Sequence, residues 1–157
     1  MNKNKKNGFT LIELLVVVAI IGVLAAVGVV AFGGFLGNAK VNSTKSNHKA
    51  IVSYLSAEFT KCSLGETVLK YNDTGTGTEE ACSNGPADHQ PKIIVHLNQS
   101  SFKNPYTQGD GVHAGGGGAE GNTFISCTTT SGAAGSCTIT TNPGEGENTL
   151  TDIVSKE

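Results

Sequence analysis

The stretch from Phe9 to Leu36 limits what this chain can fold into more than any other feature. It holds one charged side chain, Glu13, and none follows from Leu14 to Leu36. As a helix, those twenty-three uncharged residues rise about 1.5 Å each, about 35 Å in all, enough to cross a bilayer core of about 30 Å. Part of the 157-residue chain therefore belongs to no soluble core. The remainder has another character, rich in Gly, Thr, Ser and Asn and poor in large apolar residues. All eleven basic residues are lysines, and Lys3, Lys5 and Lys6 precede the apolar stretch. Past residue 8, eight lysines face thirteen carboxylates, so the remainder is mildly acidic. With no Trp and no basic-aromatic cluster, direct nucleic-acid binding is not expected, since phosphate recognition needs a clustered Lys/Arg surface.

A basic stretch ahead of an apolar run stays in the cytoplasm while the run crosses outward. An ordinary secretory signal ends its apolar core in a small-residue cleavage site and is removed whole. Here the basic part ends at Gly8, and the run is too long for a simple signal core. Composition alone leaves an uncleaved single-pass anchor open.

The junction residues add more. Lys5-Lys6-Asn7-Gly8 followed by Phe9-Thr10-Leu11-Ile12-Glu13-Leu14-Leu15-Val16-Val17-Val18-Ala19-Ile20-Ile21-Gly22 resembles the processing and methylation motif of type IV prepilins and pseudopilins. The resemblance covers the leader and the first half of the long helix. It implies a cut between Gly8 and Phe9 by a membrane prepilin peptidase, which also methylates the new amine of Phe9. Glu13 reads two ways. As a residue of the first helical turn, it can sit near the headgroups and the positive helix end. The resemblance adds a partner, the Phe9 amine of a neighbouring subunit, neutralised as subunits pack. An unpaired charge in an apolar filament core is costly, so such a pair favours correct register.

From Asn38 to Cys62 there is neither Pro nor Gly. Val41, His48, Val52, Leu55, Phe59 and Cys62 recur at helical spacing, Ile51 and Tyr54 widen the stripe, and Lys40, Lys45, Lys49, Glu58 and Lys61 fall mostly off it. This pattern predicts an amphipathic helix. Joined to the apolar stretch, Phe9 to Cys62 would form one helix about 80 Å long. Gly22, Gly28, Gly33, Gly34 and Gly37 weaken its first half by about 1 kcal/mol each relative to Ala. Pilins often carry a proline in this stretch; Gly28-Val29-Val30-Ala31 stands here, so any loosening between Gly22 and Gly34 would rest on glycines.

Beyond Cys62, Leu64 to Asp88 reads as loop, with breakers at Thr74-Gly75-Thr76-Gly77 and Gly85-Pro86. Lys92 to Leu97 reads as the best single strand. Lys103-Asn104-Pro105-Tyr106 and Gly115 to Gly118 mark a long irregular crossing. Asn122 to Thr129 and Ser136 to Thr141 read as two short strands, and Thr149 to Val154 as strand or helical turn. Large apolar residues from Leu64 onward number only seventeen, a thin core of the kind that needs staples.

Four cysteines, Cys62, Cys82, Cys127 and Cys137, allow three pairings, and the sequence does not choose among them. A hairpin that sets Cys127 opposite Cys137 also sets Ile125 opposite Ile139, with 130 to 134 as a five-residue loop and both pairs on one face. That arrangement is self-consistent, and it leaves Cys62 to meet Cys82. Disulfides fit an oxidising, outward-facing compartment. The rival four-Cys zinc site lacks any C-x-x-C pair. His48, His89, His96 and His113 are scattered, and Asp110, Glu120, Glu145 and Glu147 form no dense calcium loop. Neither metal nor cofactor is expected. The glycosylation tripeptides at Asn42, Asn72 and Asn98 are common by chance.

The expected fold class is α+β: a long N-terminal helix packed on a small antiparallel sheet. Residues 1–8 form a cleaved leader, 9–36 the transmembrane and filament-core helix, 37–62 its amphipathic continuation, and 63–157 a disulfide-stapled, β-rich head. The resemblance implies a structural subunit rather than an enzyme, a major pilin whose filament serves adhesion, motility or DNA uptake. Its partners would be copies of itself, the prepilin peptidase and the pilus assembly machinery. It would wait in the inner membrane with a periplasmic head and end in an extracellular filament. The alternatives are a pseudopilin of a type II secretion system, a minor pilin acting as a binding module, and an uncleaved tethered domain.

Overall fold

The computed structural model describes residues 9–71 and 79–157. Lys3, Lys5, Lys6 and Gly8, the breaker Thr74-Gly75-Thr76-Gly77 and the tripeptide at Asn72 lie outside the described residues. The chain divides into two compact units, Met1–Gly37 and Asn38–Glu157. Helix α1 (Leu11–Ser63) contributes to both. Its glycines do not interrupt it, because the apolar residues between them propagate the helix; a Cβ added at Gly22, Gly28, Gly33 or Gly34 would meet nothing within 4 Å.

In the first unit no described residue is buried. In the second, α1 buries Val41, Thr44, His48, Ile51, Leu55, Glu58 and Phe59, steps of three and four that keep one face inward. The stripe is centred on Ile51 and Leu55 rather than Val52; Val52, Tyr54 and Cys62 are half-buried. Thr44 is tolerated inside because its hydroxyl donates back to the Lys40 carbonyl at 2.9 Å. Glu58, expected off the stripe, is buried with Lys61 one turn on donating to its carboxylate. A left-handed Gly65 (φ 103°) ends the helix, with the Glu66 N–H bonded to the Lys61 carbonyl and the Gly65 N–H to that of Cys62.

The segment expected as loop carries two short antiparallel strands, β1 (Val68–Lys70) and β2 (Glu79–Ala81). The expected strand Lys92 to Leu97 is instead part of α2 (Pro86–Gln99). A six-residue apolar run does not distinguish strand from buried helix by itself. What decides is the wider register: His89, Ile93 and Leu97 are buried four residues apart, while Val95 is exposed. Gly85-Pro86 is the start of that helix, Gly85 at the N-cap and Pro86 where a missing N–H costs nothing. Pro91 lies inside the helix and removes one of its hydrogen bonds.

The second sheet runs in the order β3 (Val112–Ala114), β4 (Thr123–Ser131), β5 (Ala134–Thr141), β6 (Leu150–Lys156). It is antiparallel except at β3, which lies inside the expected irregular crossing and pairs parallel with β4. The hairpin register sets Ile125 opposite Ile139 and Cys127 opposite Cys137. Its turn is tighter than a five-residue loop: Ser131 pairs with Ala134, with a bulge between Thr129 and Ser131 and left-handed Gly132 at the turn. The last segment is strand, not helical turn, because β6 completes the inner face with Val154. Ile51, Leu55, Phe59, Leu69, Tyr71, Ile93, Leu97, Val112, Ile125, Cys137, Ile139 and Val154 form one core. Cys62 is bonded to Cys82 and Cys127 to Cys137, with Cα atoms 5.4 and 3.9 Å apart.

Candidate functional site

The first turn of α1 is built by Thr10 and Glu13. The Thr10 N–H and hydroxyl donate to Glu13 Oε2 at 2.8 and 2.7 Å, and the Glu13 N–H donates back to the Thr10 hydroxyl at 3.3 Å. This reciprocal box satisfies amides that a helix start leaves unpaired. Glu13 thus has a partner within its own chain, which sequence reading missed. The Thr-x-x-Glu spacing was the signal that could have found it. Phe9, next in line, is 84% exposed, and a shallow apolar groove lies between Phe9, Ile12, Glu13, Val16 and Val17.

Beyond Glu13, the described residues of the first unit present an apolar surface in every direction. Leu11, Leu14, Leu15, Val18, Ile21, Leu24 and Phe32 are all more than half exposed. Leu11–Ser63 is the one described helix long and apolar enough to cross a membrane. Such a surface is stable only against lipid or against other apolar helices, since each large aliphatic side chain gains about 1.5–3 kcal/mol on full burial.

In the second unit the polar side chains mostly satisfy one another. His48 is buried with Nδ1 2.8 Å from Thr141 Oγ1 and Nε2 2.7 Å from Asp152 Oδ2, joining α1 to β5 and β6. His96 stacks on Tyr54 with ring centroids 5.1 Å apart, and His113 lies against Phe124 while donating to the Asp110 carbonyl. Asp110 pairs with Lys103 and Glu147 with Lys45. Burial pushes the Glu80 carboxyl up, but Lys92 and Asn84 outweigh it and hold it below its ordinary value. Among the described residues, no three His, Cys, Asp or Glu side chains converge as a metal site. The Asn98 amide donates to and accepts from the Val112 backbone, and Thr44 of the Asn42 tripeptide is buried.

Residues 3–29 match the prokaryotic N-terminal methylation motif. The chain is similar to the type IV major pilin protein PilA of Myxococcus xanthus (strain DK1622), 49% identical over 47 residues, 30% of this chain and 21% of that protein. The chain belongs to the type IV pilin family. A probable minor fimbrial protein of Dichelobacter nodosus is 30% identical over 110 residues, 66% of each chain. The type IV major fimbrial protein FimA of the same organism is 34% identical over 94 residues, 55% of this chain and 58% of that protein. The chain thus spans between 21% and 66% of these pilin relatives' own lengths. No solved structure matches it with comparable significance.

Proposed function

We propose that the chain is a major pilin, a structural and non-enzymatic subunit cut between Gly8 and Phe9 and methylated at Phe9. Subunits wait in the inner membrane with their heads outside, and the assembly machinery stacks their N-terminal helices into an extracellular filament. The observation that carries this reading is the first unit: an apolar helix exposed on all sides with one carboxylate in its first turn. Lipid satisfies the apolar surface but offers Glu13 no cation. A packed array of such helices satisfies both, because cleavage gives each subunit a new amine four residues before Glu13. The match to a probable minor fimbrial protein, long but at lower identity, keeps a minor subunit as the second reading.

Mass spectrometry of the N-terminal peptide from sheared filaments and from membranes tests the proposal. A methylated Phe9 peptide dominating the sheared fraction is the expected result. The same peptide at trace level in filaments, or confined to membranes, replaces the major pilin with a minor pilin or a pseudopilin. A chain that keeps Lys3 to Gly8 in mature cells overturns the filament reading altogether.

A further inference from the structure

Lys156, near the end of β6, is only 2% exposed, and among the described residues no carboxylate pairs with it. Its ammonium instead donates to three backbone carbonyls, those of Cys82 at 2.7 Å and of Asn84 and Ala133 at 2.9 Å. An ammonium has three donors, and all three are used. Lys156 thereby ties the last strand to the turn that follows β2 and to the β4–β5 turn.

A second basic group is buried beside the same turn. His89 on α2 is 0% exposed; its Nδ1 lies 2.8 Å from the Tyr71 hydroxyl, and the Phe59 and Tyr71 rings meet it edge-on. Burial pushes the Tyr71 phenol far up, as do Tyr54, Glu58 and Glu80, so the hydroxyl keeps its proton; in the tautomer that leaves Nδ1 bare, the hydroxyl is the donor. The one proton of the neutral imidazole then sits on Nε2, which has no hydrogen-bond partner among the described residues. A second ring proton goes on Nδ1, where the Tyr71 hydroxyl has to turn its own proton away and accept instead of donating.

The charges around the ring oppose one another. Burial, then Lys156, holds His89 below its ordinary value, against Glu80 and the carbonyls of Asn84 and Ala81, which favour the cation. Glu80 is itself engaged by Lys92 of α2, and Glu58 of α1 by Lys61. We propose that His89 and Lys156 form an acid-triggered latch: protonation of His89 sets a second buried cation against the 81–84 turn that Lys156 holds, and β6 lets go of that turn. The sign follows from linkage. The folded ring is neutral and the opened ring titrates near about 6.5, so the latch is at full strength above that pH and weakens as pH falls.

Hydrogen exchange of the full chain in detergent micelles, corrected for intrinsic rates and followed from pH 7.5 to 5, reads the latch at residues 79–85 and 150–156. The opening constant is expected to rise about tenfold per pH unit below about pH 6.5. His89→Gln should flatten that slope, and Lys156→Met should reduce it by removing the competing cation. His48→Gln, which touches the same strand through Asp152, should leave it in place. A flat wild-type profile, or an undiminished slope in His89→Gln, overturns the latch. If His89→Gln does not fold, the wild-type His89 ring resonance decides: a ring that titrates without faster exchange in either segment also overturns it.

Discussion

Glu13 satisfies the start of its own helix through Thr10, yet the filament we propose would ask it to neutralise the amine of a neighbour as well. Its second oxygen leaves room for both, because Thr10 engages Oε2 in both hydrogen bonds. Replacing Glu13 by Gln keeps an acceptor for Thr10 and removes only the charge. The helix start and the proposed cleavage at Gly8 should therefore survive, while in the proposed filament the Phe9 amine would lose its counter-ion. Filament yield is expected to fall by about a hundredfold or more with processed subunit accumulating in membranes, read by quantifying sheared and membrane fractions. Normal filaments from Glu13→Gln would show that charge pairing does not drive assembly. The residue itself was conspicuous in the sequence because a lone carboxylate stands out in an apolar run. Its local role was less so, because the run drew attention to the membrane and away from helix-start chemistry.

At the scale of elements, legibility followed the reach of the pattern. The long helix showed itself through a stripe repeated over twenty residues, and the hairpin through four residues that must share one face. Helix α2 was misread because Gly85-Pro86 and Pro91 look like breakers, and the run between Pro91 and Asn98 is too short to show its period. Strand β3 has three residues, too few for any alternation. Burial of Glu58 was invisible because it comes from tertiary packing that sequence does not display, although its partner Lys61, three residues on in the same helix, is local.

Docking of α2 on the sheet depends on Gly85 for space rather than for backbone freedom. Its φ of −76° suits any residue, but a Cβ there would collide with the Thr129 side chain. Thr129 is β-branched and has little freedom to move aside, and its hydroxyl accepts from the Ala87 N–H. Gly85→Ala should therefore destabilise the head by about 1–3 kcal/mol, measured as a lowered urea midpoint at unchanged slope. Adding Thr129→Ala should restore part of the loss; if it restores none, the collision is not the cause.

For the whole molecule, the division of labour lies between two units that obey different solvents. Every residue that α1 buries lies at Val41 or beyond, inside the second unit. No described residue of the first unit is buried, and its apolar surface is stable only in lipid or against other helices. Removing Met1–Gly37 should therefore take away the need for a membrane or a filament and cost the head little packing. A chain beginning at Asn38 is expected to be monomeric in water, to keep both disulfides, and to show an unfolding free energy in urea within about 0.5 kcal/mol of the full chain's in mild detergent, the usual size of a change away from a core. Sedimentation and denaturation report the two properties separately. A head that stays monomeric but loses several kcal/mol would mean that α1 is stabilised from its apolar half. A head that aggregates at full stability would place a self-association surface beyond Gly37, and subunit contacts could then no longer be assigned to the N-terminal helix alone.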